Sequence, residues 1–174
     1  MPGKAKPRSG CPVSISLERF GDRWSLLIIR DLMVRALRTF KDFQESGEGI
    51  ATNILTDRLR RLQRAGIIFA ETEQSDRRRI NYRLTEKGID LAPVLLELLI
   101  WGARHEPTGA PCAVIEHMAR DRTAVLAEAR RRWQERDPNP LLPSFDTRQN
   151  RSQDQTPGSS KAPQKRASGN RGAN

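Results

Sequence analysis

Thr52-Asn53-Ile54-Leu55-Thr56-Asp57-Arg58-Leu59-Arg60-Arg61-Leu62-Gln63-Arg64-Ala65-Gly66 is the stretch that decides how the rest of the chain is read. Wound at 3.6 residues per turn, it places Ile54, Leu55, Leu59, Leu62 and Ala65 on one side. Thr52, Asn53, Thr56, Asp57, Arg60, Gln63 and Arg64 fall on the other. Gly66 follows the last turn, where the left-handed backbone that closes many helices is most easily supplied by glycine. The polar side is graded. Its leading end carries Thr52, Asn53 and Thr56, short groups that donate and accept hydrogen bonds, and its trailing end carries arginines. Such a helix suits insertion of its N-terminal end into the DNA major groove. There Asn pairs bidentately with adenine, Thr reaches a base edge or a thymine methyl, and Arg holds phosphate or guanine. In isolation the same pattern describes any solvated amphipathic helix, so the decision rests on the neighbours.

Upstream, Ser46-Gly47-Glu48-Gly49 is a turn. Before it, Thr39 is the N-cap expected for a short helix that buries Phe40 and Phe43 and leaves Arg38 and Lys41 outside. Trp24 to Arg35 is apolar over more than half its circumference, as a central core helix should be. Val13 to Phe20 is a short amphipathic segment with Val13, Leu17 and Phe20 on one side, separated from the core helix by Gly21-Asp22-Arg23. Downstream, Ile67 to Thr72 reads as a strand and Ile80 to Leu84 as its return, around the basic loop Gln74-Ser75-Asp76-Arg77-Arg78-Arg79. Helix, turn, polar-faced helix and arginine-tipped hairpin is the order of a winged helix-turn-helix. A wing of this kind lies along the backbone or enters the minor groove, whose narrow parts attract Arg. An exposed solubilising turn is the plain alternative for the three arginines; their place beside the polar-faced helix favours nucleic acid.

Thr85-Glu86-Lys87-Gly88 opens a further helix, with Thr85 as N-cap, and Leu91, Leu95, Leu98 and Leu99 carry its apolar stripe to Trp101. Gly88 costs helix propensity there without a reason visible in the sequence. After a loop marked by Pro107, Gly109 and Pro111, one helix is expected from Cys112 to about Arg136, striped by Ile115, Met118, Val125, Leu126, Ala129 and Trp133. A second copy of the chain is the economical cover for that stripe; packing back on its own domain is the alternative. From Asp137 onward Pro, Asn, Ser, Gln and Gly dominate and aliphatics nearly vanish. The expected fold is mainly α with a small β-hairpin: a winged helix-turn-helix domain with added N- and C-terminal dimerisation helices. Its parts are a flexible basic arm (1–10), the DNA-binding domain (11–104), a C-terminal helical extension (105–136) and a disordered tail (137–174).

Charge agrees with a polyanionic partner. The chain has 31 Lys+Arg against 21 Asp+Glu, a formal net charge of +10. Its longest apolar stretch, Leu91 to Ala103, is short and broken by Pro93 and Glu97, which argues against a membrane partner. Residues 1–11 lack the apolar core of a secretory signal, and Cys11 and Cys112 make no disulfide framework, so a cytoplasmic protein is expected. His105, Cys112 and His117 fit no recognised metal spacing. Ser14, Ser16 and Ser25 have no nearby His, and no phosphate-cradling glycine loop occurs. Neither an enzyme nor a cofactor is expected.

A family resemblance sharpens this. Cys11-Pro12-Val13, Leu17, Gly21 through Ile28, Arg38-Thr39-Phe40, Gly49-Ile50-Ala51 to Leu55, Arg58-Leu59, Leu62, Ala65-Gly66-Ile67-Ile68 and Tyr82-Arg83-Leu84-Thr85-Glu86-Lys87-Gly88 resemble the HxlR family of transcriptional regulators, a winged-helix group related to the MarR-type regulators. The likeness runs over roughly residues 11–104 in unbroken order. It implies a homodimer on pseudo-palindromic operator DNA, with an interface built from N- and C-terminal helices. It places Thr52, Asn53 and Thr56 on the recognition helix and Arg77 to Arg79 in the wing. Two departures stand out: Ala51 replaces the Ser that often precedes the recognition helix, and Ser75 to Arg79 looks more like the MarR-type wing. Cys11 occupies the Cys-Pro position that in some similar regulators senses electrophiles or oxidants. Lys6 and Arg8 would favour its thiolate; a small packing residue is the alternative.

The sequence therefore points to a dimeric, sequence-specific regulator of double-stranded operator DNA, open to a small-molecule effector or a redox signal at Cys11. Thr52, Asn53 and Thr56 would read bases, and Arg38, Lys41, Arg60, Arg64, Arg77, Arg78 and Arg79 would hold phosphates. The alternative is a winged-helix module for RNA or a protein partner.

Overall fold

The computed structural model describes residues 9–73, 76 and 78–142. Arg77, residues 1–8 of the expected arm and 143–174 of the expected tail lie outside the described residues. Along the chain run α1 (Pro12–Phe20), α2 (Arg23–Val34), α3 (Phe40–Gln44), α4 (Thr52–Arg64), β1 (Ile68–Thr72), β2 (Ile80–Leu84), α5 (Glu86–Ile89), α6 (Ala92–His105), α7 (Cys112–Arg120) and α8 (Arg122–Glu135). The strands pair antiparallel, with Ile68 opposite Leu84 and Thr72 opposite Ile80. Beside them Arg38 O accepts a 2.7 Å hydrogen bond from Tyr82 N, so the segment before α3 joins the hairpin's outer edge. This is the winged helix-turn-helix expected from the sequence. No helix among the described residues is long and apolar enough to cross a membrane.

The core sits on α2. Ile28, Ile29 and Leu32 meet Phe43 from α3, Leu55, Leu59 and Leu62 from α4, and Ile67, Ile68 and Leu84 from the hairpin. Local chemistry sets the element ends. Thr39 and Asp42 form a reciprocal capping box on α3. At the end of α4, Gly66 (φ 68°) donates to Gln63 O and Ile67 to Leu62 O, the paired bonds of a Schellman closure. The next segment then ties itself to that closure. Thr85 Oγ1 donates to Gly66 O at 2.7 Å and accepts from Gly88 N, while Lys87 Nζ donates to Ala65 O at 2.8 Å. Gly88, unexplained by the sequence, is required by this contact, because a Cβ there would stand 2.2 Å from Ile67 O.

Several expectations need correction. The helix expected from Thr85 through Trp101 is two, α5 and α6, broken at Asp90 and Leu91, with Pro93 in the first turn of α6. The helix expected from Cys112 to Arg136 is also two. Asp121 ends α7 and caps α8 by accepting from Ala124 N. The turn folds the stripe back on its own chain. Ile115 and Met118 pack with Leu96 and Ile100 of α6, and Trp133 Nε1 donates to Leu84 O at 2.9 Å. A second copy is not what covers these residues. Nor does order end at Asp137: Leu141 N donates to Val34 O and Leu142 is buried. Arg38 is not outside but half-buried, and Phe40 is half-buried rather than sealed.

The Gly88 contact gives a first prediction. Gly88→Ala should cost about 1–3 kcal/mol, as overpacking against fixed backbone does, while the helix content is kept. Urea unfolding followed by circular dichroism measures it, and a loss within error of zero would remove the close approach as the reason for glycine.

Candidate nucleic-acid interface

Sealing Leu55, Leu59 and Leu62 at 0–2% exposure fixes the rotation of α4, so its opposite face points to solvent. Thr52 and Asn53 are exposed and Thr56 is half-exposed. Their hydroxyls are not equivalent. Gln44 Nε2, on α3, donates to Thr52 Oγ1 at 2.9 Å, which leaves the Thr52 hydroxyl proton to give. Thr56 spends its proton on Thr52 O at 2.8 Å, so its oxygen can only accept. Asn53 makes no side-chain hydrogen bond to the described residues and keeps both halves of its amide open. Gln44 is a contributor that the sequence did not disclose, because a polar residue on a short helix has no periodic signature.

Ala51 caps α4 with no side chain, so the leading backbone N–H groups have no internal acceptor. An exposed helix start in this condition is suited to a phosphate oxygen.

What holds α4 in place is an ion cluster. Asp22, N-cap of α2, accepts from Ser25 N at 3.1 Å, from Ser25 Oγ at 2.6 Å and from Arg58 Nε at 2.8 Å. Arg58 also reaches Asp57 at 2.5 Å. Burial pushes the Asp22 carboxyl up, but the hydrogen bonds from Ser25 and the Arg58 guanidinium outweigh it and hold the group below its ordinary value. Arg58 thus belongs to positioning and not to the polar face, which a single helical wheel does not reveal.

The proposed phosphate residues divide into groups. Lys41, Arg78 and Arg79 line one groove between α3 and the hairpin. Arg79 pairs with Glu73 at 3.2 Å, and Lys41 weakly with Glu45 at 3.8 Å. Arg60, Arg64 and Arg78 are exposed, with no ion-pair partner among the described residues. Arg38 departs from the set: its Nη1 donates to Leu32 O and Leu37 O, turned inward. Cys11 is exposed at the N-cap of α1, and its own N–H donates to Ser9 Oγ at 2.9 Å. Lys6 and Arg8, expected to favour its thiolate, lie outside the described residues.

Comparison with known proteins points the same way. The family model described as HxlR-like helix-turn-helix matches residues 19–109. The chain is 32% identical over 97 residues to YdeP of Bacillus subtilis (strain 168), an uncharacterised HTH-type transcriptional regulator, covering 56% of this chain and 75% of YdeP. It is 36% identical over 110 residues to Rv3095 of Mycobacterium tuberculosis (strain ATCC 25618 / H37Rv), also an uncharacterised HTH-type transcriptional regulator, covering 62% and 68%. Among solved structures, PA1607, a candidate transcription factor, superimposes with a TM-score of 0.54 at 40% identity over 60% of this chain and 70% of that one. The redox regulator HypR in its oxidised form gives 0.51 at 27% identity over 56% and 99%.

The Asp22 cluster carries a signed pH dependence. A carboxyl whose folded pKa is depressed adds stability above its unfolded value, near 3.9, and loses it as pH falls through the folded value. Asp22→Asn keeps a capping oxygen but removes the charge facing Arg58. It should cost about 0.5–1 kcal/mol at neutral pH, in line with a partly exposed pair. The gap to the parent should close as pH drops from about 5 to about 2. Urea unfolding across that range decides: a gap independent of pH would mean the charge contributes nothing.

Proposed function

The chain belongs to the HxlR-like helix-turn-helix family of transcriptional regulators, and from that premise we propose that it binds a specific double-stranded operator as a homodimer. The observation that carries this is the state of Asn53: exposed on the first turn of α4, with its amide unengaged, while the opposite face of the helix is sealed. In the major groove that amide can meet the N6 and N7 edge of adenine, with Thr52 donating and Thr56 accepting beside it. Arg60, Arg64, Arg78 and Arg79 with Lys41 supply phosphate contacts, and Arg77, adjacent to Arg78 in sequence, adds a further basic group.

Dimerisation through α1 and α6 is supported by what the single chain leaves uncovered. Val13 and Leu17 on α1 are 67% and 57% exposed, and Leu98 and Trp101 on α6 are 49% and 57% exposed. Large apolar groups on two helices near the domain's ends are what a self-complementary interface covers. Cytoplasmic action accompanies operator binding. A redox input at Cys11 is supported by its exposure and by the likeness to HypR, a redox regulator.

On a duplex selected from a random library, Asn53→Ala should lose about 1–3 kcal/mol of binding and change little on random duplex. Equal losses on both would take base reading away from Asn53. Arg78→Ala should instead weaken every duplex and reduce the slope of log K against log salt by about 1. Competition by single-stranded or folded RNA that matches the selected duplex would overturn the DNA reading itself. For Cys11, diamide should release the parent from DNA and leave Cys11→Ser bound; equal release removes this cysteine as the sensor.

A further inference from the structure

Behind the wing, a cavity of about 320 Å³ lies between the hairpin and α8. Its size is at the small end for sites that hold organic ligands. Leu32, Met33, Phe69 and Trp133 give it an apolar floor and wall. Arg38, Arg83, Arg132 and Arg136 stand around it. Three of these have a carboxylate partner within the fold. Arg83 and Arg136 share Glu71, and Arg132 is held by Glu128 at 2.6 Å and Asp137 at 3.6 Å.

Arg38 is different. No carboxylate of the described residues lies within ion-pair distance of it, and its Nη1 has only the carbonyls of Leu32 and Leu37. Its Nε and Nη2 donate to nothing among the described residues. Every sealed side-chain nitrogen or oxygen among the described residues has a partner, so these two N–H groups are not fully sealed, and Arg38 is one of the residues that line the cavity. Burial, with Arg83 nearby, brings its pKa down to about 10, which still leaves it charged at neutral pH. This half-buried guanidinium has no ion pair and two N–H groups without an acceptor among the described residues. It stands beside a cavity whose lining mixes apolar groups with Arg83, Arg132, Arg136 and Asp137, which suits an anionic ligand with an apolar body.

We propose that this cavity binds an organic monoanion, a carboxylate on a flat apolar body, with Arg38 holding the carboxylate and Phe69 and Trp133 the body. Resting on the DNA-binding reading above, the same occupancy resets the wing. The walls are the wing's own supports. Arg38 N and O bond Asp42 of α3 and Tyr82 N of β2, Phe69 and Arg83 face each other across the hairpin, and Trp133 holds Leu84 O. A ligand that draws Arg38 and α8 together therefore moves the hairpin relative to α3 and α4. Helix α8 lies outside the stretch matched by the family model, so the extension supplies the Trp133 side of the cavity while Arg38 and Phe69 come from the matched stretch.

The test uses 4-nitrobenzoate against 4-nitrobenzamide on the full chain, by calorimetry and by quenching of tryptophan emission. The acid should bind saturably and the amide at least about tenfold more weakly, the cost of losing a charged partner. Arg38→Gln should lose about tenfold for the acid, and Trp133→Phe should lose most of the quenching while keeping calorimetric binding. Equal affinity for acid and amide, undiminished binding by a folded Arg38→Gln, or no saturable binding below about 10 mM would each overturn the site. The acid–amide comparison needs no variant and holds even where Arg38→Gln does not fold. Operator affinity is then measured with and without 4-nitrobenzoate. Acid binding that leaves it unchanged overturns the coupling to the wing. Acid binding by a protein with no affinity for any duplex overturns the operator reading and leaves the cavity assignment standing.

Discussion

Three leucines on one side of α4 set the terms for the whole molecule. Leu55, Leu59 and Leu62 are sealed against α2 and the start of the hairpin. Each contributes on the order of 2 kcal/mol by leaving water. Turning the helix by one residue's step would expose them and bury Thr56, Arg60 and Gln63 in their place. The penalty for that is several times any gain a polar face could recover, so the orientation of the polar face of α4 follows from apolar burial alone. The Arg58 cluster with Asp22 and Asp57 adds direction where burial is indifferent: it prevents α4 from sliding along its axis relative to the start of α2.

The far end of α4 is restrained in a second currency, backbone hydrogen bonding. A helix leaves its last carbonyls without partners. Here Ala65 O and Gly66 O are taken by Lys87 and Thr85, residues that lie beyond the hairpin in sequence. The hairpin is therefore clasped at its base on both sides, by the α4 closure and by α5. Gly88 completes the clasp because only a residue without Cβ lets α5 approach Ile67 O this closely. The wing's position is thus referred to α4 through short, strong links, whereas its outer side rests on Trp133 and on Arg38.

That division explains what the sequence disclosed and what it did not. Features decided within a few residues were legible: the Thr39 and Thr85 caps, the Gly66 closure, the turn before Thr52, the two strands and the exposure of Asn53. Each has a pattern set by backbone geometry or by helical period. Features decided by a distant partner were not. Asp121 is one polar residue among many until the chain on either side of it is seen to reverse. Arg38 beside Thr39 looks solvent-facing, and only the arrival of Tyr82 and the Leu32 and Leu37 carbonyls turns it inward. Arg58 carries no mark that separates it from Arg60 or Arg61. The apolar stripe of 112–136 was read correctly as needing cover, but a one-dimensional pattern does not say whose surface supplies it.

Charge placement completes the picture. The helices of the extension are rich in arginine, yet there the charge is spent internally. Glu128 is drawn down to about 2 by hydrogen bonds from Arg131 and Arg132, Arg122 pairs with Glu97, and Arg130 with Asp90. On the side of α4 and the wing tip, Arg60, Arg64 and Arg78 have no such partner among the described residues. Exposed ion pairs add little to stability, roughly 0–1 kcal/mol each, so their value on the extension is not strength. Their consequence is that most arginines of the extension sit beside a carboxylate, while Arg60, Arg64 and Arg78 on the face that carries Asn53 do not, among the described residues. On the proposed DNA-binding reading, positive charge on that side would orient a duplex before any base is touched. Net charge alone has no direction; the arginines left without an ion pair on α4 and at the wing put positive charge on the face whose shape the three leucines have already set.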